Sequence, residues 1–87
     1  MAVEAYREAI SRFNSLKSEI MAVADAMSRL SACLREHPMR VKASSADVQA
    51  ACRLVELLAQ FEEAREMARS AFLEVPVKVR SDLEPPP

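Results

Sequence analysis

The chain has no glycine and no tryptophan, one histidine, one tyrosine and two cysteines among its 87 residues. Without glycine there is no loop of the kind that cradles phosphate, and a lone histidine without a Cys-x-x-Cys pair gives no metal-ligand spacing. No carboxylate is stranded on an apolar stripe, where burial would raise its pKa, so acid–base catalysis has no candidate either. Long hydrophobic runs are also missing. Ile20-Met21-Ala22-Val23-Ala24, the longest run before the second helical segment, falls far short of the roughly 20 residues that a bilayer-spanning helix requires. The N-terminus lacks the basic-then-apolar order of a signal peptide. Together these absences predict a cytoplasmic, non-enzymatic protein with no cofactor, no metal and no membrane partner.

What is present is helix-forming sequence. About half the residues are hydrophobic (51%), and Pro38 is the one proline before Pro76, so little interrupts a helix over the first 74 positions. A chain this short makes one small domain, near the lower limit of what a single core stabilises unaided, and a partner or a second copy is expected. Cys33 and Cys52 both fall inside predicted helices. They read as reduced, small core residues rather than as a disulfide, because a secreted scaffold of this length would carry more cysteines at tighter spacing.

The first segment places Val3, Tyr6, Ile10, Phe13, Leu16, Ile20, Val23, Met27, Leu30 and Leu34 at alternating steps of three and four, with one slip at Phe13. That is the seam of a coiled-coil-like helix. Glu4 with Arg7, Glu8 with Arg12 and Asp25 with Arg29 stand three or four apart, acid first, as ion pairs on its solvated side. Pro38 disfavours helical geometry at His37, which sets the end of this helix near Glu36 and its span at about 2–36.

The second helix is expected over about 44–73. Ser44 reads as its N-cap with Asp47 reaching back, Ala43 and Val48 as a weak staple across the cap, and Val75 before Pro76 ends it. Leu54, Leu57, Phe61, Ala68 and Phe72 belong to an apolar sector wider than one antiparallel neighbour covers. The expected fold is therefore all-α: a long antiparallel hairpin with a basic turn at 37–43, dimerising into a four-helix bundle through those five residues. A heterocomplex, or a hairpin completed by a third element from the tail, are the alternatives to the homodimer.

Charge is distributed unevenly behind a net value of -1. The turn gathers Arg35, His37, Arg40 and Lys42, whereas 45–74 is acidic; Glu62, Glu63 and Glu66 interleave with Arg65 and Arg69 as a solvated ion-pair face rather than a metal cluster. Cations after a helix C-terminus also offset its dipole, so a basic turn needs no ligand. Residues 75–87, VPVKVRSDLEPPP, break the helical pattern. Val75, Val77 and Val79 alternate with Pro76, Lys78 and Arg80 at a period of two, which predicts an extended tail able to add along a partner, and Pro85-Pro86-Pro87 favours polyproline II.

The function expected from these features is protein–protein interaction, as an adaptor, chaperone, inhibitor or assembly factor. Val75, Val77, Lys78, Val79 and Arg80 of the tail, with Arg40 and Lys42 of the turn, are the partner-binding candidates. A nucleic-acid-associated regulator using the basic turn is the alternative; the net negative charge and the lack of a helix-turn-helix make it the weaker reading.

Overall fold

The computed structural model describes residues 1–87. Helix α1 spans Ala2–Glu36, a short 3-10 turn follows at Pro38–Arg40, and α2 (Ala46–Cys52), α3 (Leu54–Glu74) and the single turn α4 (Val77–Arg80) complete the chain. There is no strand, and no helix is long and apolar enough to cross a membrane. At 1.5 Å per residue α1 is about 52 Å long, and the molecule measures 59 × 18 × 14 Å. Its radius of gyration, 17.9 Å, exceeds the roughly 12 Å of a compact domain of this length. A rod two helices wide is the result.

α1 pairs antiparallel with α2 and α3 along its length. Near one end Tyr6 meets Phe72, with ring centroids 5.1 Å apart; further in, Phe13 stacks on Phe61 at 4.5 Å; toward the turn, Arg29 reaches Asp47 at 3.0 Å. The buried set is Tyr6, Phe13, Leu16, Val23 and Ala26 from α1, Leu57, Ala64 and Ala68 from α3, and Val75. Ala64 and Ala68 are the most completely covered positions on α3, because side chains this small let the two backbones close together while the aromatics on either side fill the remaining volume.

Proline sets the ends where the sequence places them. α1 stops at Glu36 as His37, ahead of Pro38, leaves helical geometry (φ -142°, ψ 65°). α3 stops at Glu74, as Val75 ahead of Pro76 becomes extended (φ -72°, ψ 135°). Neither end uses a left-handed residue, and no residue in the chain has positive φ. A sequence without glycine thus ends its helices through X-Pro steps instead of the usual left-handed cap.

Local details depart from expectation. α2 starts one residue later than predicted, with Ser45 as N-cap accepting from the Val48 amide at 3.3 Å. Asp47 does not close a capping box, because its carboxylate is drawn across to Arg29. The second helix is also interrupted at Arg53, whose amide bonds three residues back to Ala50 (3.1 Å) with ψ near zero (-8°). No proline causes this break; it is one tightened turn of 3-10 type. The ion pairs expected along α1 do not form: Arg29 goes to Asp47 rather than Asp25, and Arg12 turns to the Met67 sulfur at 3.6 Å. Both cysteines are free and helical, but neither is core, since Cys33 is half-buried and Cys52 exposed.

The close approach of α1 and α3 predicts that Ala68→Leu, which inserts volume at a fully covered position, destabilises the fold by about 1–3 kcal/mol. Glu63→Ala, on the exposed face, should stay within about 0.5 kcal/mol of the parent. Urea unfolding followed by circular dichroism compares them; equal midpoints would mean that α3 presents a different face to α1.

Candidate interaction surface

The tail is the first place where structure and expectation part. Val77–Arg80 is a helical turn, and V-x-V-x-V serves a helix as well as a strand, because Val75 and Val79 are four apart and fall on one side. Val75 is the largest fully covered side chain in the molecule and Val79 is half-buried, whereas Val77 and Lys78 point to solvent. Arg80 is engaged within the chain. Its guanidinium donates to the carbonyls of Leu73 (2.7 Å) and Val75 (2.8 Å) and lies 5.7 Å from the centre of the Phe72 ring. A cation there satisfies carbonyls that the end of α3 leaves without partners. The extended, partner-seeking strand expected at 75–80 is thus replaced by a capping turn, with Val75 and Arg80 used internally.

Beyond α4 the chain turns back onto the hairpin. The Tyr6 hydroxyl donates to the Glu84 carbonyl at 2.5 Å. The Arg65 and Arg69 Nε atoms both donate to the Pro87 main-chain oxygen, at 3.3 and 3.2 Å. Leu83 and Pro86 are half-buried while their neighbours are exposed, so the segment is seated on two apolar anchors and held by its backbone. Sequence reasoning missed Tyr6, Arg65, Arg69, Leu83 and Pro86 as a group. The one available signal was Tyr6 itself, a seam position carrying a hydroxyl that needs an acceptor when its ring is covered.

The five residues assigned to an interface between copies all make contacts inside the chain. Leu57 and Ala68 are buried, Leu54 and Phe61 pack on the core, and Phe72 meets Tyr6. This face of α3 is turned to α1, with Leu54, Phe61 and Phe72 left half-buried. What stays uncovered lies beside it. Met27 and Leu34 on α1 are 42% and 48% exposed, and Leu58 on α3 is 43% exposed. Met27, Leu30, Ser31, Leu34, Arg35 and Ala51 line an open groove of about 390 Å³ next to the turn. Ala51, Leu58 and Arg65 recur at seven-residue spacing along α2 and α3, as Tyr6, Phe13, Ile20, Met27 and Leu34 do along α1. The α1 row is buried in the seam at Tyr6 and Phe13 and emerges from it at Met27 and Leu34, beside the groove. Arg40 and Lys42 are exposed in the turn and form no ion pair.

Comparisons with protein-family models, with curated proteins and with solved structures return no match.

Burial of the ring, and secondarily the nearby Glu84 carboxylate, push the Tyr6 hydroxyl above its ordinary pKa. For an acid that is neutral in the folded chain, a raised pKa stabilises the fold below the unfolded value of about 10 and loses that contribution as pH climbs through the folded value. Tyr6 is the sole tyrosine and there is no tryptophan, so tyrosinate absorbance reports this group alone. Its midpoint should lie above that of free tyrosine and fall back toward about 10 in a Leu83→Ser/Pro86→Ser variant whose tail has lost its anchors. Identical midpoints in the two proteins would show that the tail does not cover Tyr6.

Proposed function

We propose that this chain is a non-enzymatic protein–protein interaction module, an adaptor or assembly factor that works by laying an apolar helical face on a partner. The observation that carries this reading is the uncovered row beside the seam. Met27, Leu34 and Leu58, with the groove at Ala51, offer aliphatic and thioether surface that a two-helix rod cannot bury by itself.

A second copy is the partner that charge favours. Two rods laid antiparallel over their turn-proximal halves would set Arg35, Arg40 and Lys42 of one against the acidic middle of α3, around Glu62 and Glu63, of the other. The overlapped region would then be a four-helix bundle closed over Met27, Leu34 and Leu58. Light scattering at micromolar concentration tests this: a mass near twice 9.7 kDa is expected, with Leu58→Lys and Met27→Lys returning the chain to monomer at unchanged helicity. A strictly monomeric parent with a cooperative melt would remove the homodimer.

The unpaired Arg40 and Lys42 support a second reading, a contact with nucleic-acid phosphate through the turn. Under it, the Arg40→Ala/Lys42→Ala variant keeps its melting temperature and elutes from a phosphate matrix at distinctly lower salt. Elution at the parent's salt concentration counts against a phosphate contact.

A further inference from the structure

Met39 stands at the tip of the turn, 94% exposed, more than any other large apolar side chain except Met1. The backbone that carries it is held in place. The Arg40 amide donates to the His37 carbonyl at 2.9 Å, the Val41 amide to Pro38 at 3.3 Å and the Ser45 amide to Lys42 at 3.0 Å. This 3-10 turn leaves Val41 half-buried and puts Met39 in water. Around the tip the charge is largely of one sign: residues 30–46 carry Arg35, Arg40 and Lys42 against Glu36 alone, although the whole chain has a net charge of -1. None of the three cations is in an ion pair.

We propose that the turn is a peripheral docking point for an anionic lipid surface, with Met39 entering the boundary between headgroups and acyl chains and Arg35, Arg40 and Lys42 lying against the headgroup anions. One apolar side chain projecting from the end of a rod, among cations, matches a partner that is anionic outside and apolar just beneath. A fluid leaflet is such a partner, and it needs no shaped socket. The long Arg and Lys stems let their charged heads stay at headgroup level while their methylenes lie beside the thioether. A nucleic-acid backbone would pair with the same cations and leave Met39 in water. Contact of this kind needs no spanning helix, and the chain has none. Each cation near an anionic leaflet strengthens binding roughly fivefold and partial burial of one methionine about tenfold, so the three cations and Met39 together give roughly a thousandfold preference for the surface. That is a weak, reversible contact.

This inference rests on the phosphate reading of the turn for its cations and goes beyond it in Met39; it is independent of self-association, since a monomer that binds vesicles would keep it. Co-sedimentation of the full chain with phosphatidylcholine vesicles, with and without phosphatidylserine, measures it. Expected is pelleting at millimolar lipid and low salt when phosphatidylserine is present, none with phosphatidylcholine alone, and release by added salt. Arg40→Ala/Lys42→Ala should weaken vesicle binding at least tenfold, two cations at roughly fivefold each. Met39→Ser should weaken it about tenfold while eluting from a phosphate matrix at the parent's salt concentration. Absence of pelleting at millimolar phosphatidylserine, or equal binding by Met39→Ser and the parent, would overturn the proposal. Retention on phosphate or on duplex DNA without vesicle binding would sink the lipid contact alone and leave the turn to nucleic acid, whereas indifference to Arg40 and Lys42 in every assay would sink both. Should a variant lose helicity, the unaltered parent decides: vesicles carrying an acyl-chain spin label should broaden the Met39 methyl resonance before that of Met67, and uniform or absent broadening would overturn the proposal.

Discussion

Two helices side by side can enclose one row of side chains each, and everything else in this molecule follows from that geometric limit. Nine residues are buried, most of them along the line where α1 meets α2 and α3. Ala64 and Ala68 let the helices close, Phe13 and Phe61 fill the middle, and the solvent-exposed Arg29–Asp47 pair spans the end near the turn. The rows flanking this seam stay outside. At the end away from the turn residues 81–87 bond Tyr6, Arg65 and Arg69, while Met27, Leu34 and Leu58 remain exposed.

The two ends of the rod therefore differ in what they expose. The turn half exposes Met27 and Leu34 beside the cations Arg35, Arg40 and Lys42. At the far half, residues 81–87 lie on the hairpin and are held through main-chain oxygens of Glu84 and Pro87. Arg80 fixes α4 against the end of α3 through its bonds to the Leu73 and Val75 carbonyls. Val75 locks the same junction from inside.

Much of the scaffold is legible in the sequence because it depends on local chemistry. His37-Pro38 and Val75-Pro76 stop the helices where X-Pro sterics require, and the alternation of threes and fours from Val3 to Leu34 gives α1 its inward face. What escaped prediction depends on long-range or backbone partners. Asp47 reads as a capping residue until Arg29, a distant position, competes for its carboxylate. Val75, Val77 and Val79 satisfy two periodicities, and only the open carbonyls at the end of α3, which Arg80 reaches from a helical turn, select between them. The width of the apolar sector on α3 is real, yet its inner part is used by α1 itself, and apolar surface stays exposed at Met27, Leu34 and Leu58. The seat of the tail was invisible for a simpler reason: it is made on carbonyl oxygens, which every residue carries.

Backbone dynamics of residues 81–84 test most directly whether the tail belongs to the folded rod. With the segment seated on Tyr6 and held through Glu84, nitrogen-15 relaxation should give Asp82 and Leu83 order parameters approaching those of α3, about 0.85 for rigid backbone. Values below about 0.6 at those amides, alongside rigid helices, would mean that the tail is free and that the covered half of the rod is open.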